Sequence, residues 1–322
     1  MKAIIIHQTG SSSQLKYQET EDPTPGENQV LVKNHAAGVN FIDVYHRTGL
    51  YPKDTPFIPG LEGAGEIVAL GKNAHDHKPG MKVAYVGVPG AYAEFTAVPV
   101  DKLVVLPNHV SAKTAAAVML QGMTAHYLHK STFPLSEGDT CLIHAAAGGV
   151  GLLLVQMAKI AGAGVIGTVS TTEKEKLARE AGADEIIRYT KHDFVKEVER
   201  ITQGKKCQVV YDSVGKDTFY KSLDCLAPLG YLVLFGQSSG KVESFDPAIL
   251  NQKGSVFLTR PTLFHYVAGR LQLQQRADDI FKWIQQDALK VRVDREIPLS
   301  DAKEAHDLLE QRKTMGKLLL TT

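Results

Sequence analysis

The stretch His144–Ala163, HAAAGGVGLLLVQMAKIAGA, decides the fold of this chain. It continues the apolar run TCLIH (140–144), which predicts a strand, and it passes through small residues into an apolar helix. A strand, a glycine-rich turn and a helix in this order bring free backbone N–H groups and the positive end of a helix dipole to one point. The stretch therefore predicts the first strand–turn–helix unit of a nucleotide-binding domain.

The chain after Thr140 alternates between predicted strands and predicted helices. The strands are TCLIH (140–144), GVIGTV (164–169), EIIRY (185–189), CQVVYD (207–212), YLVLFG (231–236) and SVFLT (255–259). The helices between the first five strands cover 149–161, 171–181, 194–202 and 217–226. Apolar strands that alternate with helices indicate a parallel sheet covered on both faces. We therefore predict an α/β Rossmann domain with a doubly wound, parallel six-stranded sheet.

The first hundred residues have a different rhythm, with short β-branched runs separated by Pro-Gly turns, which predicts a compact antiparallel barrel. A helix follows, with Ser111 as its N-cap. The tail adds predicted elements: a helix near Asp278–Gln286, a strand near Val291–Ile297, a helix capped by Ser300 and a last strand KLLLT (317–321).

Composition narrows the function classes. The 322 residues suggest two domains, and a net charge of +1 excludes an overall field that would attract nucleic acid or an anionic membrane. Three cysteines are far apart in sequence, which favours a reduced compartment over a disulfide framework. The N-terminal apolar run is too short for a signal peptide, and no stretch is long enough to span a bilayer. We expect a cytoplasmic protein.

The glycine turn departs in one place from the pattern G-x-G-x-x-G, because Ala146 occupies the first position of Ala146-Ala147-Gly148-Gly149-Val150-Gly151. Alanine is small enough for a tight turn. Gly148 would let the backbone approach a pyrophosphate, and Gly151 would let the helix press on the strand. The alternative is a glycine-rich helix start with only a packing role.

The end of the second strand indicates which dinucleotide binds. NAD sites place an acid there, whereas this chain has Ser170, with Lys174 in the following helical turn. Hydroxyls and a lysine attract a 2′-phosphate, so NADPH is favoured. Tyr189, at the end of the third strand, would flank the same phosphate or the adenine. The alternatives are that Ser170 caps a helix in a capping box (170–173) and that Lys174 is a solvated helix residue.

Seven motifs together resemble the zinc-free quinone oxidoreductases related to zeta-crystallin, within the medium-chain dehydrogenase/reductase superfamily. They are GVNFIDVYHRTGLY (38–51), PGLEGAGEIVALG (59–71), QGMTAHYL (121–128), HAAAGGVG (144–151), YDSVG (211–215), LFGQSSG (234–240) and TRPTL (259–263). The resemblance covers essentially the whole chain. It implies a GroES-like β-barrel substrate domain (1–122 and 266–322), a Rossmann NADPH-binding domain (123–265) and a homodimer.

The same resemblance bears on metal. Alcohol dehydrogenase relatives have a cysteine zinc ligand where this chain has Phe41 and a histidine where it has Leu61. They also carry a closely spaced four-cysteine lobe, which is absent here. Zinc needs three or four N or S ligands, so we predict no metal. Without a Lewis acid, the reduction of a quinone by hydride needs less catalytic help than the oxidation of an alcohol.

Two polar residues of motif 38–51 are the predicted catalytic residues. Asn40 would hydrogen-bond the nicotinamide ribose or a quinone oxygen, and Tyr45 would donate to the reduced oxygen or orient the substrate. Their alternatives are a loop residue that satisfies backbone groups and a packed pocket residue. Asp43, between them, is interpreted as a local turn or ion-pair residue.

Further cofactor contacts are implied by the motifs that match these reductases. Thr124 would contact the nicotinamide, or else bond back to a helix carbonyl. The end of the fifth strand would line the nicotinamide half, and a residue after the sixth strand would reach the cofactor or pair across an interface. These positions are Phe235, Gly236, Ser238 and Arg260. The alternative for Phe235 is packing in the core. Tyr51 and Phe264 would form the aromatic walls of a pocket for a flat quinone.

The function expected from these residues is NADPH-dependent reduction of a small-molecule quinone. The alternative within enzymes is reduction of α,β-unsaturated carbonyls, which requires protonation of a carbon and depends more on a donor such as Tyr45. A different class, RNA binding as a side role, is disfavoured by the balanced charge and the lack of an aromatic and basic motif.

Overall fold

The structure is a computed structural model that describes residues 1–322. It divides into two units. Unit 1 comprises Met1–Met123, Tyr266–Gln285 and Val291–Thr322, and unit 2 comprises Thr124–His265 and Gln286–Lys290. The short segment 286–290 joins unit 2 because the Gln156 amide donates to the carbonyl of Lys290 (3.0 Å) and accepts from its N–H (2.7 Å). No helix combines the length and apolar character needed to cross a bilayer.

Strands and helices are numbered in chain order. The strands are β1 Lys2–Ile5, β2 Lys16–Glu19, β3 Gln29–Val39, β4 Glu62–Leu70, β5 Lys82–Val86, β6 Phe95–Pro99, β7 Leu103–Val105, β8 Thr140–Ile143, β9 Gly164–Val169, β10 Glu185–Arg188, β11 Cys207–Asp212, β12 Leu226–Leu234, β13 Phe257–Thr259, β14 Val293–Pro298 and β15 Lys317–Thr321. The helices are α1 Phe41–Thr48, α2 Ala112–Tyr127, α3 Gly149–Ile160, α4 Thr172–Glu180, α5 Phe194–Ile201, α6 Phe219–Asp224, α7 Ala248–Gln252, α8 Leu263–Tyr266, α9 Arg270–Gln285 and α10 Ala302–Glu310.

Unit 2 is built on six parallel strands in the order β10-β9-β8-β11-β12-β13. Counted from the first strand of the sheet, this is the order 3-2-1-4-5-6 of a doubly wound Rossmann fold. The central strands are apolar and fully buried, as Leu142, Val210 and Leu232 show. Because both faces are covered, the strands carry continuous apolar runs, and the predicted parallel sheet is confirmed.

Unit 1 is built on a seven-stranded sheet in the order β14-β15-β3-β4-β5-β7, with β6 also paired to β3. The pairing is antiparallel as predicted, except that β14 and β15 run parallel. The eleven-residue β3 is central, since it contacts β15, β4 and β6. Its buried Val30 and Val32 pack in a cluster with residues of the C-terminal strands, including Leu318 and Leu320.

Three helix starts differ from the prediction. Helix α4 is capped by Thr171, whose Oγ1 accepts the N–H of Lys174 at 3.3 Å, so the capping role considered for Ser170 is wrong. Helix α10 follows a 3-10 turn and has Asp301, not Ser300, at its N-cap. Helix α9 starts at Arg270, eight residues early, because its buried residues lie in a polar sequence that masks the helical pattern. Ser111 accepts the N–H of Thr114 at 3.0 Å, as a cap of α2 should.

The turn between β8 and α3 depends on the lack of a side chain at Gly151. A Cβ built there would lie 2.3 Å from the carbonyl oxygen of Ala145. The left-handed residue of the turn is Ala145 itself (φ 51°), one position before the first position of the glycine pattern. Gly148, with ordinary φ, would meet only that same oxygen, at 3.1 Å.

We predict that Gly151→Ala destabilises the fold, because the added Cβ contacts backbone that must shift. The expected loss is about 1–3 kcal/mol, the usual cost of overpacking. Gly148→Ala is the matched control, with a change of roughly 0.5 kcal/mol or less. Urea unfolding followed by the fluorescence of the single tryptophan, Trp283, measures both. Equal stabilities of the two variants would contradict the assigned close approach.

Candidate functional site

The N-terminus of α3 lies at the carboxyl edge of the unit 2 sheet. The turn before it is held by the N–H of Ala146 on the carbonyl of Thr168 (3.1 Å) and by the N–H of Gly148 on the carbonyl of Ala145 (2.8 Å). No side chain caps the helix, and the first intrahelical bond from this end is donated by Leu152. The N–H groups of residues 149–151 therefore point out of the helix end, which fits a phosphate group.

The end of β9 presents hydroxyls. Ser170 is half-buried, its carbonyl accepts the Thr190 hydroxyl at 2.9 Å, and its own hydroxyl makes no hydrogen bond within the chain. Lys174 lies in the first turn of α4, and Tyr189, 40% exposed, follows β10 and donates its N–H to Val169. The structure thus brings the three predicted 2′-phosphate residues to adjacent strand ends.

One cation at this place was missed by sequence reasoning. Arg188, the last residue of β10, donates to the hydroxyl of Thr172 at 3.0 Å and pairs with Glu175 at 3.2 Å. The nearby acid Glu173 accepts hydrogen bonds from its own backbone N–H and from the Thr171 hydroxyl. These bonds hold the pKa of Glu173 below the ordinary value. The strand end consequently offers hydroxyls, and the guanidinium of Arg188 there is paired with Glu175.

The loops after β11 and β12 are bonded to one another. The backbone oxygen of Asp212 accepts the N–H of Phe235 (2.9 Å) and of Gly236 (3.3 Å), and the N–H of Ser238 donates to Ser213 (3.1 Å). A Cβ at Gly236 would lie 2.5 Å from the Ser213 oxygen, which explains the glycine. Arg260 donates to the carbonyl of Leu234 at 3.1 Å, so it lies at the same edge.

A buried polar chain beneath this edge was also missed. Asp212 accepts the hydroxyls of Thr218 (2.7 Å) and Ser222 (2.8 Å), Ser222 meets His144 Nε2 at 3.0 Å, and His144 Nδ1 meets the Thr168 hydroxyl at 3.0 Å. Burial lowers the pKa of His144, which favours the neutral ring, and the charge of Asp212 opposes this effect. His144 and Asp212 belong to quoted motifs, but no sequence signal pairs them.

In unit 1, the amide of Asn40 is fully used. Its Nδ2 donates to Glu62 Oε1 (2.7 Å) and to the carbonyl of Gly38 (3.2 Å), and its Oδ1 accepts from Lys317 (2.9 Å) and Gln121 (3.2 Å). An amide has two donors and two acceptor positions, and all four have partners. These bonds hold Asn40 among Gly38, Glu62 and Lys317, and its predicted contact with the nicotinamide ribose or a quinone oxygen stays a prediction.

The partners of Asn40 include a buried ion pair that sequence reasoning missed. Lys317 Nζ contacts Glu62 Oε1, both side chains are at most 2% exposed, and the N–H of Leu120 donates to Glu62 Oε2 at 2.7 Å. Burial lowers the pKa of Lys317, and Glu62 opposes this effect. A Cβ at Gly38 would lie 2.1 Å from Glu62 Oε1, so a glycine is required there.

Of the predicted aromatic site residues, Tyr45 lies on helix α1 and Tyr51 follows that helix. Tyr45 is buried, and its ring centroid lies 6.1 Å from Phe41 and 5.1 Å from Tyr51. Thr124 is buried near the end of α2, and Phe264 is half-buried on α8 in unit 2. The roles of these residues toward cofactor and quinone stay predictions.

Asp43 is more than the local turn residue that sequence analysis indicated. Its Oδ2 accepts the N–H of Asn40 (2.9 Å) and the hydroxyl of Tyr92 (3.0 Å), while its Oδ1 is buried without a partner. Tyr92 meets His306 Nε2 at 3.2 Å, and Arg47 donates to His306 Nδ1 at 3.3 Å. Burial raises the pKa of Asp43 to about 7, although these hydrogen bonds oppose the shift.

No group of three or more His, Cys, Asp or Glu side chains gathers anywhere in residues 1–322 in a way that could hold a metal. Leu61 is buried and Phe41 is half-buried at the positions where the alcohol dehydrogenase relatives have ligands. The prediction of a metal-free site stays a prediction.

Comparison with known families finds two matches in this chain. The alcohol dehydrogenase GroES-like domain matches residues 26–108, and the family described as zinc-binding dehydrogenase matches residues 149–285. Quinone oxidoreductase of Pseudomonas aeruginosa is 46% identical over 99% of both chains. The chain belongs to the quinone oxidoreductase family. The predicted resemblance is therefore confirmed, and so is the pairing of a GroES-like domain with a Rossmann sheet.

Two further relatives show the range of this quinone oxidoreductase family. The crystal structure of Escherichia coli quinone oxidoreductase complexed with NADPH superposes with a TM-score of 0.98 at 42% identity, and 100% of each chain is covered. A 2-haloacrylate reductase from Burkholderia sp. is 39% identical, over 99% of this chain and 98% of the relative. The family thus includes proteins named for quinones and one named for an unsaturated acid.

We predict that stability falls as the pH rises through the titration of Asp43. Its folded pKa of about 7 lies above the ordinary value of 3.8, so the folded state retains a proton that the unfolded state has lost. The group's contribution is therefore fully present below about pH 4 and is lost by about pH 8, a change on the order of 4 kcal/mol.

Asp43→Asn removes this titration while keeping the size of the side chain. Urea unfolding of the wild type and the variant between pH 4.5 and 8 measures the effect, since other titrations cancel in the difference. We expect the wild type to have the more favourable free energy of unfolding, relative to the variant, at low pH. This advantage should decrease steadily as the pH rises. Parallel stability curves would contradict the assignment.

Proposed function

We propose that this chain catalyses the NADPH-dependent reduction of a quinone. The observation that carries the proposal is the carboxyl edge of the unit 2 sheet, where a helix end without a side-chain cap lies beside a strand that ends in Ser170 rather than in an acid, with Lys174 in the following helical turn. Membership of the quinone oxidoreductase family supports both the cofactor and the substrate class. Three buried, unpaired cysteines support a reducing compartment such as the cytoplasm.

In this proposal each part of the edge holds one part of the cofactor. The N–H groups at the start of α3 bind the pyrophosphate, and Ser170, Lys174 and Tyr189 bind the 2′-phosphate. Phe235, Gly236, Ser238 and Arg260 line the nicotinamide half, together with Thr124. When bound, NADPH supplies a hydride. Tyr45 then donates a hydrogen bond to the quinone oxygen that gains charge, and Asn40 keeps its segment in place through Glu62 and Lys317.

Steady-state consumption of NADPH with a panel of quinones and enones tests the function. We expect turnover with quinones, slower turnover with enones, and unchanged rates after treatment with a chelator. Turnover of enones alone would replace the proposal by the alternative reductase. Activity that disappears with removal of stoichiometric zinc would overturn the metal-free mechanism.

We predict that NADPH binds at least about tenfold more tightly than NADH, which corresponds to about 1.4 kcal/mol. The reason is that Ser170 and Lys174 stand where an acid would exclude the 2′-phosphate. Lys174→Ala should weaken NADPH and leave NADH nearly unchanged, as titration of cofactor fluorescence can measure. Lys176→Ala, on the exposed face of α4, is the control. Equal losses for both cofactors in Lys174→Ala would refute the assignment.

We predict that Tyr45→Phe slows quinone reduction by about tenfold, or ~1.4 kcal/mol, the scale of one hydrogen bond. An enone should suffer more, because its reduction needs protonation of a carbon. The ratio of kcat/KM between variant and wild type, compared for the two substrate classes, measures this. Unchanged rates on both classes would remove Tyr45 from the site.

We propose that the protein is a homodimer joined through β13. This strand pairs only with β12 and ends the sheet, and Phe257 on it is 49% exposed and stacks on Tyr231 of β12. An open apolar strand edge is a template for a second strand, and two copies related by a two-fold axis would satisfy it. Phe257→Lys should then give monomers in analytical ultracentrifugation. A monomeric wild type would overturn the proposal.

A further inference from the structure

The buried polar chain beneath the carboxyl edge of unit 2 joins four separate elements. His144 follows β8, Thr168 lies on β9, Asp212 ends β11 and Ser222 lies on α6. All four side chains are at most 2% exposed, and each successive pair is within 2.8–3.0 Å. Water does not reach these groups, so their hydrogen bonds depend on one another.

The chemistry of the groups gives the chain a single direction. The Asp212 carboxylate only accepts, so the Ser222 hydroxyl donates to it, and the Ser222 oxygen must accept from His144 Nε2–H. The other ring nitrogen, Nδ1, then carries a lone pair and accepts the hydroxyl of Thr168. Each group has the one orientation that its neighbour allows. Removing one member therefore disturbs the whole chain, since a buried polar group without a partner is costly.

The chain is attached at both ends to the places where the cofactor is proposed to bind. His144 directly precedes the glycine turn, and the carbonyl of Thr168 accepts the N–H of Ala146 in that turn. Thr168 is also two residues before Ser170. At the other end, Asp212 Oδ1 accepts the N–H groups of Val214 (2.8 Å) and Gly215 (3.0 Å).

The backbone oxygen of Asp212 extends this connection to the loop after β12, where it accepts the N–H groups of Phe235 and Gly236. One side of the chain therefore carries the turn and strand end proposed for the adenosine half of the cofactor. The other side carries the loops proposed for its nicotinamide half. The two sides are joined by the backbone pairing of β8 with β11, where the N–H of His144 donates to the carbonyl of Tyr211 at 3.0 Å, and above it by the side-chain contacts of Ser222 with His144 and Asp212.

We propose that His144, Ser222 and Asp212 are positioning residues that hold the two halves of the cofactor site at a fixed spacing. The inference rests on the proposed binding of NADPH at this edge. A ligand that engages two subsites gains affinity from their fixed separation, because binding at the first raises the effective concentration at the second. If the spacing between the subsites is no longer fixed, the affinity for the whole dinucleotide falls, whereas the affinity for a ligand that occupies only one subsite does not change.

Ser222→Ala tests this, because it removes the side-chain link with the smallest change in volume and leaves the backbone pairing of β8 with β11 intact. We expect the Kd of NADPH to rise by about tenfold, as the effective concentration falls, and the Kd of 2′,5′-ADP, which occupies only the adenosine side, to stay within about twofold. Calorimetry measures both ligands. A merely structural role would weaken the two equally or weaken neither.

Two further variants refine the test. His144→Leu should act like Ser222→Ala, whereas His144→Gln should restore part of the NADPH affinity, because a glutamine amide can still donate to Ser222. Thr202→Val is the matched control. It removes a hydroxyl that bonds Val198 (2.7 Å) and Lys206 (2.9 Å), at the end of α5 that precedes β11, so it should leave both affinities unchanged.

The outcomes separate the inference from the proposed function. A wild type that binds no NADPH overturns the proposed function. A wild type that binds NADPH, with Ser222→Ala variants that lose affinity for NADPH and 2′,5′-ADP to the same extent or not at all, overturns the positioning role alone. A loss for Thr202→Val equal to that of Ser222→Ala also overturns it.

Discussion

The carboxylate of Asp212 is the group on which the carboxyl edge of unit 2 depends. A fully buried charge is costly unless hydrogen bonds replace the lost water. Asp212 accepts four, two from backbone N–H groups of the following loop and two from the hydroxyls of Thr218 and Ser222. Because all four donors must converge on two oxygens, the loop after β11 and the start of α6 have only one arrangement. The neighbouring loop after β12 is bonded to the backbone of the same residue.

A second series of buried hydrogen bonds, in unit 1, also has a single donor-to-acceptor direction, but it ends at a carboxyl group with fewer partners. It runs from Arg47 through His306 and Tyr92 to Asp43, and the guanidinium, which can only donate, sets its direction. Burial lowers the pKa of His306 to about 3, so this ring stays neutral. Both donors to Asp43 meet one oxygen, and the other has none. The half-satisfied carboxyl keeps a proton to about pH 7, whereas the fully satisfied Asp212 organises backbone.

Local patterns were sufficient for most of the fold. Continuous apolar runs between helices specify buried parallel strands, and the turn before α3 is specified by residues adjacent in sequence, so both were predictable. The residues at which helices begin were less predictable from local patterns. By residue type Ser170 is a slightly better cap than Thr171, and the observed choice of Thr171 depends on where β9 stops. The start of α9 was hidden because its few buried residues lie in a polar sequence.

The sequence by itself determined the alternation of the Rossmann sheet, the glycine turn and the lack of an acid at the end of β9, since each is a property of neighbouring residues. Only the tertiary structure decided which polar groups meet. Glu62 and Lys317 are 255 residues apart, and both contact the side chain of Asn40. His144 and Ser222 are 78 residues apart. The physical reason is that a buried hydrogen bond needs a partner within about 3 Å, and strand register and helix packing, not local periodicity, bring that partner into place.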